Sequence, residues 1–289
     1  MIGATVRLAI PNKGRISEPV RQMIQKSGIY TQMSGERKLI AKTNDPGIEV
    51  LFARPIDIPE YVAEGAADLG ITGHDMVTER KSDVRECLDL GLGKAKVVLA
   101  VPEESTVRSS ADLDGLKIAT EFPAIARSYF SKAGVKVTIV PVGGACEAAP
   151  LLGIADAIVD LSSSGVTLKT NRLRVVDVIL ESSTVVISSK NTVPEKQEKI
   201  NEIILAFESV INARGQCYLM MNVKRNALDS VKMALPGLSG PTIMDVASDE
   251  DLVAVHAVIS EERSYQVINQ LKHAGARDIL VMPIYRMIR

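Results

Sequence analysis

Short β-branched runs alternate with helical patterns along most of the chain, and this alternation constrains the fold more than any other feature. In the N-terminal part, residues 6–10, 49–53 and 68–71 predict strands, and residues 17–28 and 58–64 predict helices. Alternation of this kind is typical of α/β domains. We therefore expect an α/β body built on a mostly parallel sheet.

The same pattern continues through the middle of the chain. Its predicted strands cover residues 96–101, 117–120, 137–140, 157–161 and the apolar run 175–187. Its predicted helices cover residues 123–133, 145–152, a helix start at 166–169, and a long helix over 194–214. Apolar side chains of the long helix recur at i, i+3, i+4 and i+7, which indicates a core-facing stripe.

A different order of elements follows Gly215. Residues 217–223, 242–246, 252–259 and 279–284 predict strands, and residues 227–235 and 264–273 predict helices. The resulting βαββαβ order is the ferredoxin-like split motif. The sequence therefore predicts an α/β body followed by a small α+β domain.

Composition excludes several classes of partner. The 289 residues include 34 basic and 35 acidic side chains, and no basic block stands out, so we expect no nucleic-acid partner. Three scattered cysteines and three histidines lack the spacing of a disulfide framework or zinc site. The N-terminus has no signal-peptide pattern, and no apolar run is long enough to span a membrane. We expect a cytoplasmic protein with no membrane partner.

The segment after the predicted strand 157–161 is the most informative for chemistry. Asp160 near the end of that strand precedes a loop of small hydroxyl residues, and a helix is predicted to start there. The loop consists of Ser162, Ser163, Ser164, Gly165, Val166 and Thr167. Exposed N–H groups at a helix start, a glycine and several hydroxyls form an anion site. The same residues are also favoured as an ordinary helix N-cap, so both interpretations stay open.

Other polar clusters follow predicted strands. Lys13 and Arg15 flank Gly14 at the end of the first strand, where ligands of α/β sheets bind. Arg54 with Asp57, and the pair His74 and Asp75, follow the next two strands, and each cluster also fits a solvated turn.

Glu147 is predicted in the first turn of a helix after a glycine pair. A carboxylate there either favours the helix dipole or accepts hydrogen bonds from ribose hydroxyls.

Taken together, these segments resemble the long form of the ATP phosphoribosyltransferase family, which catalyses the first step of histidine biosynthesis. The resemblance covers almost the whole chain. In the body it rests on PNKGR, ARPIDIPEYVAEGAADLGITGHD, DLGLGKAKVVLAVP and GxxExAPxxGxADAIxDLxSSGxTLxxNxL. In the C-terminal part it rests on YLMMN, LPGLSGPTI and GARDILVMPI.

The resemblance implies a fold and a reaction. The fold is a two-lobed catalytic body like type II periplasmic binding proteins, with an ACT-like regulatory domain at the C-terminus. Lobe I would comprise residues 1–97 and 181–214, lobe II residues 98–180, and the regulatory domain residues 215–289. The enzyme would join ATP, through adenine N1, to phosphoribosyl pyrophosphate, with Mg²⁺ as cofactor. Histidine would be a feedback inhibitor, and the chain would form homo-oligomers, as dimers and hexamers.

The resemblance also implies roles for single residues. The catalytic candidates are Asp160, Glu147 and Lys13. The candidates for substrate binding are Gly14, Arg15, Arg54, Asp57, Asp75, Asp156, Ser162, Ser163, Ser164, Gly165, Val166 and Thr167. The candidates for histidine binding are Asn222, Leu238, Gly240, where some members have serine, and Thr242. Protein ligands of the metal are unknown at this stage.

Three alternatives remain open from the sequence. A two-lobed solute-binding protein would share the body, although it normally carries an export signal. A catalytically silent, histidine-sensing subunit would share the whole chain, although it would not need PNKGR and DLSSSGVTL intact. Another type of phosphoribosyltransferase would pair two acidic residues before its phosphate loop, whereas here Leu161 follows Asp160.

Overall fold

The structure is a computed structural model that describes residues 5–31, 39–191, 193–235, 240–247 and 251–289. The chain divides into two compact units, Met1–Ile204 and Leu205–Arg289. The elements of the first unit are β1 (Val6–Pro11), α1 (Ser17–Lys26), β2 (Ile40–Lys42), β3 (Ile48–Ala53), α2 (Ile58–Ala63), β4 (Leu69–Gly73), α3 (His74–Arg80), β5 (Val84–Asp89), β6 (Ala95–Pro102), β7 (Lys117–Thr120), α4 (Pro123–Ala133), β8 (Thr138–Pro141), β9 (Ala157–Ser162), α5 (Val166–Thr170), β10 (Leu173–Ser182) and β11 (Thr184–Ser189). Helix α6 (Pro194–Ala213) continues from the first unit into the second.

The first sheet of this unit has six strands in the order β2-β3-β1-β4-β11-β5. Strand β1 runs parallel to β3 and β4, whereas β11 runs antiparallel to both β4 and β5. The expectation of a mostly parallel sheet is therefore wrong, because the returning strand β11 is inserted against the direction of its neighbours. We call this sheet and its helices α1, α2 and α3 lobe I.

The second sheet has five strands in the order β10-β6-β9-β7-β8 and is also mixed. Strand β7 is parallel to β8 and β9, whereas β6 is antiparallel to β9 and β10. We call this sheet with α4 and α5 lobe II. The chain passes from lobe I to lobe II between β5 and β6, and returns between β10 and β11. The expected boundaries after residues 97 and 180 fall inside strands β6 and β10.

Each lobe buries its own apolar core. In lobe I, Ile58 and Val62 of α2 pack against Ala9 and Ile187 of the sheet. A Cβ atom at Gly70 would lie 2.5 Å from Cγ2 of Ile58, so glycine is needed for this close approach. In lobe II, the largest buried side chain is Phe130 of α4, which packs on the sheet beside the side chains of Val97, Leu99, Ile118 and Val159.

The second unit contains β12 (Gln216–Lys224), α7 (Leu228–Ala234), β13 (Thr242–Asp245), β14 (Leu252–Ser260), α8 (Ser264–His273) and β15 (Ala276–Pro283). Its antiparallel sheet has the order β13-β14-β12-β15. The alternating side chains of β12 and β14 put one apolar face against α7 and α8. The expected ferredoxin-like domain is confirmed.

Two local predictions differ from the structure. The pair His74 and Asp75, which also fitted a solvated turn, begins α3, and neither α3 nor the following strand β5 was predicted. The predicted helix 145–152 is wrong, because only a short 3-10 turn forms at Cys146–Ala148. Ala145 adopts a left-handed conformation with φ of 50°, and Pro150 has no N–H to donate, so a regular α-helical ladder is interrupted at both ends.

None of the helices in the described part of the chain combines the length and apolar character needed to span a membrane.

Candidate active site

The candidate residues of lobe I lie on loops or at a helix start, at one edge of its sheet. Strands β1, β3 and β4 are parallel, so their carboxyl ends meet at the same edge. The predicted clusters at Lys13, Arg54 and His74 all follow these ends. This is the edge at which open α/β sheets bind ligands.

The loop after β1 folds back onto the start of α1. The Ser17 hydroxyl donates to the carbonyl oxygen of Pro11 at 2.9 Å, and its N–H donates to that of Gly14 at 3.1 Å. Gly14 has φ of 90°, a conformation that favours glycine. Lys13, Gly14 and Arg15 are exposed, and the Arg15 guanidinium donates to the carbonyl oxygen of Gly93, between the lobes.

The Asp57 carboxylate lies between two arginines. It accepts from Arg54 Nε at 2.6 Å and from Arg54 Nη2 and Arg80 Nη2 at 3.2 Å each. The hydrogen bond to Asp57 raises the pKa of the Arg54 guanidinium. The Arg54 side chain is nevertheless 63% exposed, whereas that of Asp57 is 18% exposed. Arg54 is therefore oriented by its partner and accessible to an anion.

Asp75 is an internal contact in the structure. It is 1% exposed, and its Oδ1 accepts from the Ser182 hydroxyl at 2.6 Å. Its own N–H donates to Ser182 Oγ at 3.1 Å, and the N–H of His74 donates to the carbonyl oxygen of Ser183 at 2.9 Å. These bonds attach the start of α3 to the return crossing between β10 and β11. A role of Asp75 toward ATP stays a prediction.

The loop at the end of β9 presents exposed hydrogen-bond donors. Gly165 has φ of 75° and directly precedes α5, which begins at Val166. Ser163, Ser164 and Thr167 are exposed, and Val166 is 62% exposed. Serine hydroxyls and the N–H groups at the start of α5 can therefore reach an anion at this loop. Ser162, the last residue of β9, is half-buried.

Three carboxylates surround the buried Cys146 beside this loop. Burial raises the pKa of Asp160 to about 6, and the charges of Glu121 and Glu147 add to this, although an N–H bond from Leu161 at 2.7 Å opposes it. Burial, followed by the charge of Asp160, raises the pKa of the Cys146 thiol to about 12. Carboxylates that repel one another in a partly buried site favour a cation or a developing positive charge.

Sequence reasoning missed Glu121 in this cluster. It follows β7, which is the parallel neighbour of β9, so its backbone emerges at the same sheet edge as Asp160. A Cβ atom at Gly144 would lie 3.4 Å from Glu121 Oε1, which places the glycine pair before Glu147 against this carboxylate. The strand order, which the sequence does not display, is the signal that identifies Glu121.

Asp156 is not brought to this site. It precedes β9, whereas Asp160 is near the other end of that strand, and four residues of strand span about 13 Å. Its carboxylate instead accepts from the N–H of Lys117 at 2.8 Å, at the start of the neighbouring strand. A contact of Asp156 with substrate stays a prediction.

A cavity of about 570 Å³ lies where the two chain crossings meet the loop of residues 162–167, which we call the phosphate loop after its predicted ligand. It is lined by polar and charged side chains from both lobes, among them His74, Glu86, Asp89, Lys94, Lys96, Ser163, Glu181, Ser182 and Ser183. His74 Nδ1 lies 2.7 Å from Glu86 Oε1, and Lys96 Nζ lies 2.9 Å from Glu181 Oε1. Lys94 and Lys96 lie in the DLGLGKAKVVLAVP segment but were not among the predicted site residues, because no role was carried over to that segment.

In the described residues, no group of three or more histidine, cysteine, aspartate or glutamate side chains is arranged to hold a metal ion by itself. Protein ligands of a metal therefore stay unassigned.

The candidate histidine-binding residues lie on the second unit. Asn222 on β12 and Thr242 on β13 occupy the same face of the sheet, separated by β14. The Asn222 amide donates to Asp278 Oδ2 at 2.9 Å, and Thr242 pairs in register with His256. Gly240 precedes β13 with φ of 85°, and Leu238 lies outside the described residues.

Comparison with known proteins identifies the family. The family described as HisG, ATP phosphoribosyltransferase, matches residues 54–209, and the HisG C-terminal domain matches residues 213–286. An ATP phosphoribosyltransferase from Methanococcoides burtonii is 54% identical, over 98% of this chain and 99% of its own. The enzyme of that name from Methanocaldococcus jannaschii is 46% identical over 98% of this chain and 100% of its own. This chain belongs to the ATP phosphoribosyltransferase family.

Solved structures extend the comparison to the fold of the chain. A chain of the ATP phosphoribosyl transferase (HisG:HisZ) complex from Thermotoga maritima aligns with 72% of this chain and 99% of its own, with a TM-score of 0.64 and 30% identity. A proposed L-cystine ABC transporter from Listeria monocytogenes aligns with 72% of this chain and 91% of its own, with a TM-score of 0.50 and 14% identity, and shows the fold alone. The expected two-lobed body, like that of the periplasmic binding proteins, is confirmed.

Proposed function

We propose that the chain transfers the phosphoribosyl group of phosphoribosyl pyrophosphate to N1 of ATP, which gives phosphoribosyl-ATP and pyrophosphate. The bond between ribose C1 and the pyrophosphate oxygen breaks, and its electron pair leaves with pyrophosphate while the N1 lone pair forms the new bond to C1. Membership of the family supports this reaction. The observation that carries it is the Asp160–Thr167 segment, which joins an anion-binding loop to a group of carboxylates.

The loop can account for the phosphate end of the donor. In this proposal the hydroxyls of Ser163, Ser164 and Thr167, with the N–H groups around Gly165 and Val166, bind the 5′-phosphate. Ser162 and Val166 shape the loop, and their side chains need not touch the phosphate. Glycine at 165 lets the backbone approach closely, since its φ of 75° disfavours a side chain.

The carboxylates can account for stabilisation of the ribose carbon that reacts. As the bond to pyrophosphate breaks, positive charge develops on ribose C1 and its ring oxygen. Asp160, with Glu147 and Glu121 nearby, would stabilise that charge and orient the ribose hydroxyls. The negative charges that oppose one another in the free protein would then be offset in the transition state.

The lobe I loops can account for the polyphosphate groups. Lys13 and Arg15 flank Gly14 on an exposed loop, and Arg54 is held by Asp57 with most of its side chain accessible. A guanidinium suits bidentate contacts to phosphate oxygens, and an ammonium supplies a point charge. We place the pyrophosphate of the donor and the triphosphate of ATP on this side.

We propose Mg²⁺ as the cofactor. Asp160, Glu121 and Glu147 supply hard oxygen atoms, and their mutual repulsion favours a nearby cation, but they are not arranged to hold a metal ion by themselves. In this proposal the ion would therefore be held mainly by substrate oxygens. When bound, Mg²⁺ would supply positive charge that makes pyrophosphate a better leaving group. The residues of the chain would then hold the ribose and orient the adenine for attack.

We also propose that histidine binds to the C-terminal domain as a feedback inhibitor, near Asn222, Gly240 and Thr242. We further propose that the chain forms homo-oligomers, as dimers and hexamers. One face of the domain's sheet is available for such contacts, because Met244, Leu280 and Met282 are 40–55% exposed there. Because ATP and phosphoribosyl pyrophosphate are intracellular metabolites, the proposal includes a cytoplasmic location.

The reaction is tested by mixing the purified chain with ATP, phosphoribosyl pyrophosphate and Mg²⁺, and following the near-ultraviolet absorbance of N1-substituted adenine. Added pyrophosphatase should increase the signal, because it removes a product. We expect absorbance to rise only when both substrates and Mg²⁺ are present, and histidine to suppress it. A flat trace with ATP still bound would support a silent subunit and would overturn the transferase proposal.

A second comparison separates an enzyme from a silent subunit or a solute-binding protein. The variants Lys13→Ala and Thr167→Val should lower kcat/KM for phosphoribosyl pyrophosphate if the chain is the transferase. A chain that only senses histidine would keep its histidine affinity and never show turnover. A solute-binding protein would bind its ligand without requiring ATP and phosphoribosyl pyrophosphate together.

A further inference from the structure

Helix α3 contacts the cores of both lobes. Val77 packs against the apolar core of lobe I, and Met76, its neighbour in the chain, packs against that of lobe II. At its C-terminal end, Arg80 bonds the Asp57 carboxylate at 3.2 Å and the Ile56 carbonyl oxygen at 3.0 Å, both in lobe I. Helix α3 therefore connects the packing of the two lobes.

Glu79 on this helix binds the start of α4 in lobe II. Its carboxylate oxygens accept the N–H of Ala124 at 2.9 and 3.0 Å, and Oε2 also accepts the N–H of Ile125 at 3.0 Å. The first residue of α4 is Pro123, which has no N–H, so these two are the first donors of the helix. The N-cap residue Phe122 provides no side-chain hydrogen bond, and Glu79 supplies the missing cap from the other lobe.

This contact combines two favourable interactions. A carboxylate at a helix N-terminus is stabilised by the helix dipole, and hydrogen bonds to an ionised acceptor are stronger than those between neutral groups. Separation of the lobes at this point would leave the first donors of α4 without their acceptor. The contact therefore favours one distance between α3 and α4.

The placement of α4 matters to the candidate active site. Glu121 lies two residues before Pro123, the first residue of the helix, and its charge acts on Asp160 in the carboxylate group. The phosphate loop and β7 belong to the same lobe as α4, whereas the loops with Arg15 and Arg54 belong to lobe I. A change in the α3–α4 distance would therefore alter how the two halves of the site face each other.

We propose that Glu79 is a positioning residue that holds lobe II against lobe I in the arrangement that binds both substrates. This inference rests on the proposed function. Glu79 acts through α4 and touches neither substrate. Without its carboxylate, a smaller fraction of molecules has the binding arrangement, so the apparent KM increases by the inverse of that fraction. Saturating substrates draw the molecules back to that arrangement, so kcat changes little.

The test compares Glu79→Ala and Glu79→Gln with Glu104→Ala, a control at an exposed turn of lobe II. We expect Glu79→Ala to raise KM for phosphoribosyl pyrophosphate about tenfold and leave kcat within about twofold. Glu79→Gln should lie between, because its amide oxygen still accepts but carries no charge. Amide exchange at Ala124 and Ile125 should accelerate in the same order, and the control should match the wild type.

Two outcomes would overturn the inference. One is an unchanged KM together with faster exchange at the start of α4, which would make the cap a local stabiliser of the helix. The other is a lower kcat at constant KM, which is the signature of a smaller active fraction. Absence of turnover in the wild type would instead overturn the proposed function. In that case an equal calorimetric Kd for phosphoribosyl pyrophosphate in Glu79→Ala and wild type would overturn the inference.

Discussion

The two lobes differ in whether the carboxylates of the candidate active site are paired with other side chains in the free protein. In lobe I, Asp57 is bonded to Arg54 and Arg80, and Asp75 is buried against Ser182. In lobe II, the charges that act most strongly on Asp160 are those of other carboxylates. Lobe I is therefore assembled before a ligand arrives, whereas lobe II keeps a charge imbalance that a ligand can relieve. Charged groups that repel one another in the free protein therefore indicate the site of the chemistry better than groups that are already paired.

The substitution Asp160→Asn should give the largest effect on activity. It should also change activity and stability in opposite directions. We expect kcat/KM to fall about 10²- to 10³-fold, as for other groups that stabilise transition-state charge. Because burial raises the pKa of Asp160 from 3.8 to about 6, its charge destabilises the native state above that pH. At pH 8 the variant should therefore be more stable, by about 1–2 kcal/mol, in urea unfolding.

The pH dependence provides the control for that variant. For a carboxyl group whose pKa is higher in the folded state, stability is greatest below its pKa in the unfolded chain and decreases as pH rises toward about 6. The wild type should lose this increment of stability between about pH 4 and pH 6, and the asparagine variant should not. An asparagine variant that is less stable than the wild type at pH 8 would contradict the inference that the charge of Asp160 destabilises the folded protein.

The substitution Asp75→Ala should have its main effect on stability, because this carboxylate serves the scaffold of lobe I. The Ser182 hydroxyl would lose its acceptor in a buried place, so the free energy of unfolding should fall by about 2 kcal/mol. Asp75→Asn keeps an acceptor and should recover most of the loss. If Asp75→Ala instead abolished ATP binding in a fully stable protein, lobe I would not be the preassembled half.

The substitution Thr167→Val tests the phosphate loop with an internal control on the same helix. We expect KM for phosphoribosyl pyrophosphate to rise about tenfold, the value of one lost hydrogen bond to a charged group. The hydroxyl of Thr170 donates to the Val166 carbonyl oxygen at 3.0 Å, within the helix, so Thr170→Val should leave KM unchanged. Equal effects of the two substitutions would indicate that the helix, not the Thr167 hydroxyl, matters.

The smallest effect is expected for Asp156→Ala. Because Asp156 lies about 13 Å along the strand from Asp160, kcat and KM should stay within about twofold of the wild type. Steady-state kinetics of the purified variant, with each substrate varied in turn, would measure kcat and both KM values. A large loss of activity would instead support the predicted role of Asp156 in substrate binding.

Local patterns predicted most strands because apolar runs between turn residues are local signals. The ferredoxin-like order of the second unit and the long helix α6 followed from the same patterns. Helix α3 was missed because its sequence, HDMVTER, is mostly polar and short, and it is stabilised by contacts to Ser182 and α4 that are distant in the chain. The helix expected at residues 145–152 failed because the backbone turns left-handed at Ala145.

The candidate site was predictable only where a motif carries it. The Asp160–Thr167 loop and the PNKGR segment are contiguous, so residue type and order suffice. Glu121 and Glu79 belong to the surroundings of the site only through strand order and the contact between lobes. These residues become visible when β7 is placed beside β9 and α3 beside α4.

The position of β11 has a consequence for how the protein is made. This strand lies between β4 and β5, so β5 has no neighbour in its sheet until residues 184–189 are available. Lobe II is formed by one continuous stretch of chain and can complete its sheet earlier. On a ribosome, the half that begins the sequence would therefore finish folding after the half that follows it. Until then, the edges of β4 and β5 are exposed to pairing with other chains.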